Sequence, residues 1–295
     1  MPSWIKAIDR LDRAYSDHSL RSYRSGFGRF ASWCRSKRLP ALPATAASVA
    51  GYIDTHAEAL SPNTIRHRLT VIGTVHRLAN FADPTKDAEV ELAWRRARRA
   101  KPSRPRQALG LTASLRDLLL DCCSEDLIGL RDRVLISVGF DTLCRRGELV
   151  SIAITDLTQR ENGRYSVLVR RAKNDPDGAG RVAHLSTRTS ELVDRWLAAI
   201  GVNTGPLLRP VYGRTISPRH MEPLTIARVL KKLSSKQAAM AAQVGQISGH
   251  SLRVGAAQQL AKDGHSMLKI MRLGGWKSPE VLARYVEHMD IDVWE

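Results

Sequence analysis

Residues 249–257 read GHSLRVGAA and residues 274–288 read GGWKSPEVLARYVEH. In the first stretch His250 and Arg253 stand three apart, a separation that places both on one face of a helix. In the second, Ser278-Pro279 has the form of an N-cap followed by proline at the first helical position. Tyr285 therefore rides one or two turns into a helix. Trp276 follows Arg253 by 23 residues, and Tyr285 follows Trp276 by nine. Gly264 is placed to end the helix that opens at Ser251. The pattern predicts short helices over 251–263, 266–272 and 278–287, a set that carries cationic, indole and phenol groups close together in sequence.

Further upstream, helices are predicted over 188–200 and 224–242. Before them the period changes from 3.6 to two. Arg164-Tyr165-Ser166-Val167-Leu168-Val169-Arg170 alternates and is rich in β-branched residues, which predicts a strand. Glu161-Asn162-Gly163 is a good turn into it, residues 174–180 form a long polar loop, and Arg181 to Leu185 returns as a second strand. Lys173 falls where strand meets loop. Helices open at Leu111-Thr112 and run from Leu127 to Phe140. In the first hundred residues Leu20, Tyr23, Phe27, Phe30 and Trp33 recur at helical spacing, leaving Arg21, Arg24 and Arg29 largely off the stripe. A second helix starts near Thr45 and carries Val49, Tyr52, Ile53 and Leu60. A third, capped by Ser61-Pro62, turns Ile65, Leu69, Ile72 and Val75 inward, and a fourth runs from about Asp87 towards Arg99. The expected fold is mainly α with a small antiparallel β-sheet. It has two domains, a helical one over 1–100 and an α+β one over 109–295, joined by a basic linker at 101–108.

Charge points to the partner. The 295 residues carry a formal net charge of +17 and a pI near 10.3, with a hydrophobic fraction of 43% that suits packed cores. Such an excess favours a polyanion, most simply nucleic acid, over a merely soluble surface. Residues 95–106 read RRARRAKPSRPR, in which seven of twelve are Lys or Arg and two are Pro, so the run suits a tether that crosses phosphates. Cys34, Cys122, Cys123 and Cys144 form no C-x-x-C pair, which predicts neither a zinc site nor a disulfide framework. No run approaches eighteen apolar residues, and the start lacks a signal-peptide apolar core. A cytoplasmic, nucleoid-associated protein with no membrane partner is expected.

Chemistry narrows the partner to a task. Displacement at a phosphodiester spreads negative charge over the equatorial oxygens of a five-coordinate phosphorus. Two guanidiniums can clamp those oxygens, and Arg145 and Arg253 are the candidates. The leaving sugar oxygen needs a proton, which a hairpin lysine, Lys173, is placed to give. Tyr285 suits an in-line attack that stores the bond energy in a covalent link. His250 is suited to proton transfer, Trp276 can offer an indole N–H, and Glu148 lies one turn after Arg145 as a carboxylate that holds its partner in place. Each of these residues is commonplace alone; the ordered set carries the signal. It calls for no metal, nucleotide or other cofactor.

These residues fall within a resemblance. TLCRRGELVSI (142–152), GHSLRVGAA and GGWKSPEVLARYVEH resemble the three signature boxes of the tyrosine recombinases, the phage integrase family. Tryptophan in place of the commoner histidine in the Gly-Gly-Trp box is similar to the Cre-like subgroup. The resemblance is strong over the second domain and covers the first hundred residues only as a helical, SAM-like core-binding arm. It implies a site-specific DNA recombinase in which Arg145 and Arg253 bind the scissile phosphate and Lys173 protonates the leaving 5′ oxygen. His250 would assist acid–base steps, Trp276 would hold a phosphate oxygen, Tyr285 would form a 3′-phosphotyrosyl bond, and Glu148 would support them. It further implies a C-shaped clamp on duplex DNA, two protomers per site, a tetrameric synapse and a Holliday junction. Candidate DNA contacts are Arg66, His67 and Arg68 on the third helix, Arg95, Arg96, Arg98, Arg99 and Lys101 in the basic run, and Arg228. Only ten residues, Val286 to Glu295, follow the tyrosine. Met289, Ile291, Val293 and Trp294 there are apolar enough to fill a neighbour's pocket or to fold back in cis. Two rivals stand beside this expectation: a type IB topoisomerase, which would relax supercoils without paired sites, and a catalytically silent DNA-binding regulator, which would form no covalent adduct.

Overall fold

The computed structural model describes residues 3–101, 107–170, 180–287 and 289. The chain divides into two units, Met1–Pro105 and Arg106–Glu295. Described residues of the first unit form helices α1 (Ser3–Asp9), α2 (Asp17–Ser36), α3 (Ala46–His56), α4 (Pro62–Leu78) and α5 (Ala88–Ala100). Four of these starts are set by side-chain caps. Ser16, Thr45, Ser61 and Asp87 each accept a hydrogen bond from a backbone N–H of the first turn, which satisfies a donor that the helix itself leaves unpaired. The apolar stripe of α2 points inward through Leu20, Phe27 and Phe30, with Tyr23 and Trp33 half-buried, and packs with Tyr52, Ile53, Val71, Ile72 and Val75. Phe30 meets Tyr52 edge-on at 5.2 Å between ring centres, a geometry that the ring quadrupoles favour. Leu60 lies beyond the end of α3 rather than within it. Helix α1 is not anticipated from sequence: seven residues are too few to show a period, yet its Ile8 is fully buried and its Trp4 packs on Phe27.

The second unit contains helices α6 (Ala113–Asp121), α7 (Leu127–Thr142), α8 (Arg146–Ser151), α9 (Thr187–Ile200), α10 (Pro223–Ser234), α11 (Ala238–Ala241), α12 (Ser251–Lys262), α13 (Met267–Gly274) and α14 (Pro279–Val286). Strands β1 (Leu157–Gln159), β2 (Tyr165–Val169) and β3 (Arg181–His184) form an antiparallel sheet in the order β1-β2-β3, and β4 (Val211–Tyr212) pairs with β5 (Thr215–Ile216). The sheet has one strand more than the pattern predicts, because the turn at Asn162-Gly163 joins β2 to β1 through Gln159↔Tyr165; Gly163 takes φ +76° there. The expected single helix over 224–242 is broken: α10 ends at Ser234, and a Ser235–Gln237 turn leads into the four-residue α11. Serines able to bond local backbone give such breaks without glycine or proline. Of the expected linker at 101–108, residues 102–106 lie outside the described residues. Lys101 donates from Nζ to Glu58 O at 2.6 Å and so joins the first unit, while Gln107 donates from Nε2 to Tyr285 O at 2.9 Å and joins the second.

Helix α7 is the spine of the second unit, apolar on nearly every face and buried through Val134, Leu135, Ile136 and Val138. Val167, Val169 and Ala183 of the sheet, with Leu185 just past β3, and Trp196 of α9 share its core. Helix α12 approaches the segment before α6 so closely that a Cβ at Gly255 would stand 1.9 Å from Leu111 O. A second, smaller cluster of Phe140, Leu143, Ala256, Ala257, Ile270, Trp276 and Leu282 binds α13 and α14 to α7 and α12. Among the described residues no helix is long and apolar enough to cross a membrane.

Candidate active site

Four short segments converge on the smaller cluster, and each does so for a local reason. Helix α7 ends at Leu143, which adopts the left-handed conformation (φ 51°) although it is not glycine. That conformation costs about 1–2 kcal/mol, and it turns the Leu143 carbonyl onto the Nη1 of Arg253. The next residues begin α8, with Arg145 as its N-cap. Glu148, at the third position of the helix, accepts the backbone N–H of Arg145 at 3.0 Å with one oxygen and the Arg145 Nη1 at 2.6 Å with the other. One buried carboxylate thus starts the helix and holds the guanidinium.

Arg253 sits in the first turn of α12 and is 1% exposed. Its guanidinium lies 3.9 Å from the centre of the Trp276 ring and 5.9 Å from that of Tyr285. Trp276 and Tyr285 meet edge-on at 5.1 Å. The two glycines before Trp276 make this possible. Gly275 takes φ +67° to end α13, and Trp276 N closes that end on Met271 O at 2.9 Å. A Cβ at Gly274 would fall 1.8 Å from the indole, so only glycine leaves room for the ring. Among the described residues, Arg253 Nε, Arg253 Nη2 and Trp276 Nε1 are buried donors with no well-formed hydrogen bond, although the Tyr285 hydroxyl is near enough to the Arg253 guanidinium to raise its pKa. Leaving such groups unmatched costs about 1–3 kcal/mol each.

The field in this pocket is positive. Burial first, and then the nearby Arg145, lower the Arg253 pKa to about 10, with Tyr285 and Glu148 acting in the opposite sense. The guanidinium therefore keeps its charge at neutral pH. His250 caps α12 and remains exposed, but partial loss of water and the charges of Arg146, Arg253 and Arg145 hold its pKa below the ordinary imidazole value, with Glu148 opposing. A neutral imidazole at working pH is a proton acceptor.

Arg145, Glu148, His250, Arg253, Trp276 and Tyr285 are thus brought together. Lys173 lies outside the described residues, as do residues 171–179 around it. The strands on either side are paired through Val169↔Arg181. Of the candidate DNA contacts, Arg66 and His67 are exposed, and Arg228 is exposed on α10. Arg68 is corrected: it is buried and donates from Nη1 to the Tyr52 hydroxyl at 2.6 Å, because its position on α4 falls on the inward face with Ile65 and Ile72. Arg95 and Arg96 are exposed but paired with Glu91 and Asp54; Arg98 lies over the Trp94 ring, and Arg99 is exposed.

Sequence reasoning missed Arg181. Its Nη1 donates to Leu273 O at 2.6 Å, at the end of α13, and its Nη2 lies 3.7 Å from Glu148 and 3.6 Å from Cys144 Sγ. It ties β3 to both the carboxylate that holds Arg145 and the Trp276 turn. The only signal was its place beside a glycine at the start of a strand, and nothing in that marks an ion pair.

Comparison with known proteins agrees with this geometry. Residues 111–290 match the model of the phage integrase family. The chain is 30% identical over 298 residues to an integrase/recombinase xerD homolog of Selenomonas ruminantium, covering 97% of this chain and 86% of that protein. It is 26% identical over 300 residues to recombinase cre of Escherichia phage P1, covering 94% and 86%. The fold is also that of the XerH site-specific recombinase bound to palindromic difH substrate, with a TM-score of 0.66 at 16% identity over 97% of this chain and 80% of that one. With the family model spanning more than half of its length, the chain belongs to the phage integrase family of tyrosine recombinases, enzymes that break and rejoin DNA.

Proposed function

We propose that this chain is a site-specific recombinase that cleaves duplex DNA through a 3′-phosphotyrosyl link formed by Tyr285. The observation that carries the proposal is the set of unmatched buried donors on Arg253 and Trp276 beside that tyrosine. Donors held dry, next to a second guanidinium, are suited to oxygens that gain charge only as phosphorus becomes five-coordinate. Arg145, oriented by Glu148, supplies the other clamp. Attack of the phenol oxygen makes the P–O bond to Tyr285 and breaks the P–O bond to the 5′ oxygen. The phenol proton passes to a base, for which neutral His250 is competent, and Lys173 gives a proton to the departing oxygen. Rejoining is the reverse, with a 5′ hydroxyl displacing the tyrosine.

The DNA-bound relatives support duplex DNA as the substrate: beside XerH on difH, a lambda integrase dimer bound to a COC′ core site matches with a TM-score of 0.66 at 16% identity over 99% of this chain and 79% of that one. On this reading the unit over residues 1–105 is a core-binding arm and the unit over 106–295 the catalytic domain, each meeting the DNA. Two protomers occupy each site, four form the synapse, and exchange passes through a Holliday junction. The test is a nicked suicide substrate carrying the cognate site. The protein should form a covalent adduct that Tyr285→Phe abolishes while DNA affinity is kept. An adduct that persists in Tyr285→Phe would overturn the assignment.

A further inference from the structure

Helix α14 stops one residue after the nucleophile. Met289 N bonds to Val286 O at 2.9 Å and Glu287 N to Ala283 O at 2.8 Å, so neither of these two described amides takes the Tyr285 carbonyl. Two side-chain amides take it instead. Gln258 Nε2 reaches it from α12 at 3.1 Å, and Gln107 Nε2 reaches it from the segment before α6 at 2.9 Å.

Both amides are held by their surroundings. The segment carrying Gln107 is laced to the elements beneath it, with Leu109 N on Gln246 O at 3.0 Å, Leu111 N on Ser251 O at 2.9 Å and Ala113 N on Gln259 Oε1 at 3.2 Å. Gly110 within it leaves the space that Gln258 fills, since a Cβ there would stand 1.9 Å from Gln258 Oε1. The Gln107 Oε1 is buried and has no partner among the described residues, so the hydrogen bond to Tyr285 O is what the amide is oriented for. Gln258 stands on the same helix as Arg253, one turn and one residue later. The helix that holds a phosphate clamp therefore also holds the backbone of the attacking residue.

We propose that Gln107 and Gln258 are positioning residues for Tyr285: together they fix the nucleophile's own carbonyl, and with it the direction of the phenol towards the arginine pocket. The inference rests on the recombinase reading above. Misplacing a reacting group by about 1 Å can cost on the order of a hundredfold in rate, whereas a simple helix cap affects only stability. Single-turnover adduct formation on the suicide substrate, at saturating DNA, separates the two.

Gln107→Met and Gln258→Met keep volume and remove the donors. Each should slow adduct formation about tenfold or more, with half-site affinity and thermal midpoint close to those of the parent. Gln107→Glu adds a sharper readout. A carboxylate oxygen would face the Tyr285 carbonyl, a repulsion that ends when the carboxyl is protonated and can donate. The ratio of variant to parent rates should therefore climb as pH falls from 8 to 5.5. Adduct formation within twofold of the parent in both Met variants, or a rate ratio in Gln107→Glu that does not change with pH, overturns the positioning role. Should one Met variant fail to fold, the other and the pH profile still decide. A parent protein that forms no adduct at all would instead count against the recombinase reading.

Discussion

At the scale of single residues, the site is a place where the chain accepts unfavourable local chemistry. Arg253 is 1% exposed, has two nitrogens without a well-formed hydrogen bond among the described residues, and lies close enough to Arg145 for the charges to oppose each other. Arg253→Lys should lower the adduct-forming rate about 10²–10³-fold, since an ammonium cannot present the planar fork; a rate within tenfold of the parent would contradict the clamp. The histidines carry a pH signature. His250 is held below the ordinary imidazole pKa mainly by lost hydration and then by three arginines, and His76 by burial, its Nε2 accepting the Ala44 N–H at 2.9 Å. With folded values below the unfolded one of about 6.5, the unfolded chain takes up a proton that the folded chain refuses. Their contribution to stability is thus complete above about pH 6.5 and is lost as pH falls through the depressed folded values. Titration followed by NMR should place both midpoints below 6.5, and a midpoint at or above it would show that the charged form is tolerated.

At the scale of elements, close approach is the recurring device. Gly274 makes room for the Trp276 ring, so Gly274→Ala should push the indole off Arg253 and reduce cleavage by at least tenfold while DNA affinity changes little; retained cleavage would mean that the indole's position does not matter. Gly255 faces the Leu111 backbone rather than a movable side chain, so a Cβ there has nowhere to go. Gly255→Ala should cost about 1–3 kcal/mol or more in stability, read as a fall in the unfolding midpoint. The same two glycines show what was legible beforehand. The Gly-Gly-Trp stretch could be read as part of a site because its residues are neighbours in sequence. The capped helices α2 to α5 were equally open to reading, because cap and period are local signals. Arg68 was not: the cluster Arg66-His67-Arg68 looks uniformly basic, and only the phase of α4 against Tyr52 turns the third member inward. Arg181 and the two glutamines were hidden for a related reason. Their partners lie 27 to 178 residues away, at Glu148, Leu273 and Tyr285, and polar pairing at that distance leaves no periodic trace.

At the scale of the whole molecule, a net charge of +17 makes association with a polyanion an ion-exchange process. Each neutralised phosphate releases counterion, so log K should fall linearly with log salt, and six to ten such contacts would cost about 10³–10⁵ in affinity between 50 and 200 mM salt. The basic face of α5 refines that expectation, because its cations are not equivalent. Arg95 and Arg96 already hold Glu91 and Asp54, so a phosphate must compete with a carboxylate there. Arg98 rests on the Trp94 ring, whose face is a weaker hold, and Arg99 is exposed. Arg98→Ala and Arg99→Ala should each reduce the salt slope by about one, and Arg95→Ala and Arg96→Ala should reduce it by less. Arg68→Ala, which removes a buried bond to Tyr52, should lower the unfolding midpoint and leave the slope unchanged. Equal slopes for the parent and both Arg98 and Arg99 variants, measured by titration across that salt range, would show that α5 does not meet the DNA backbone.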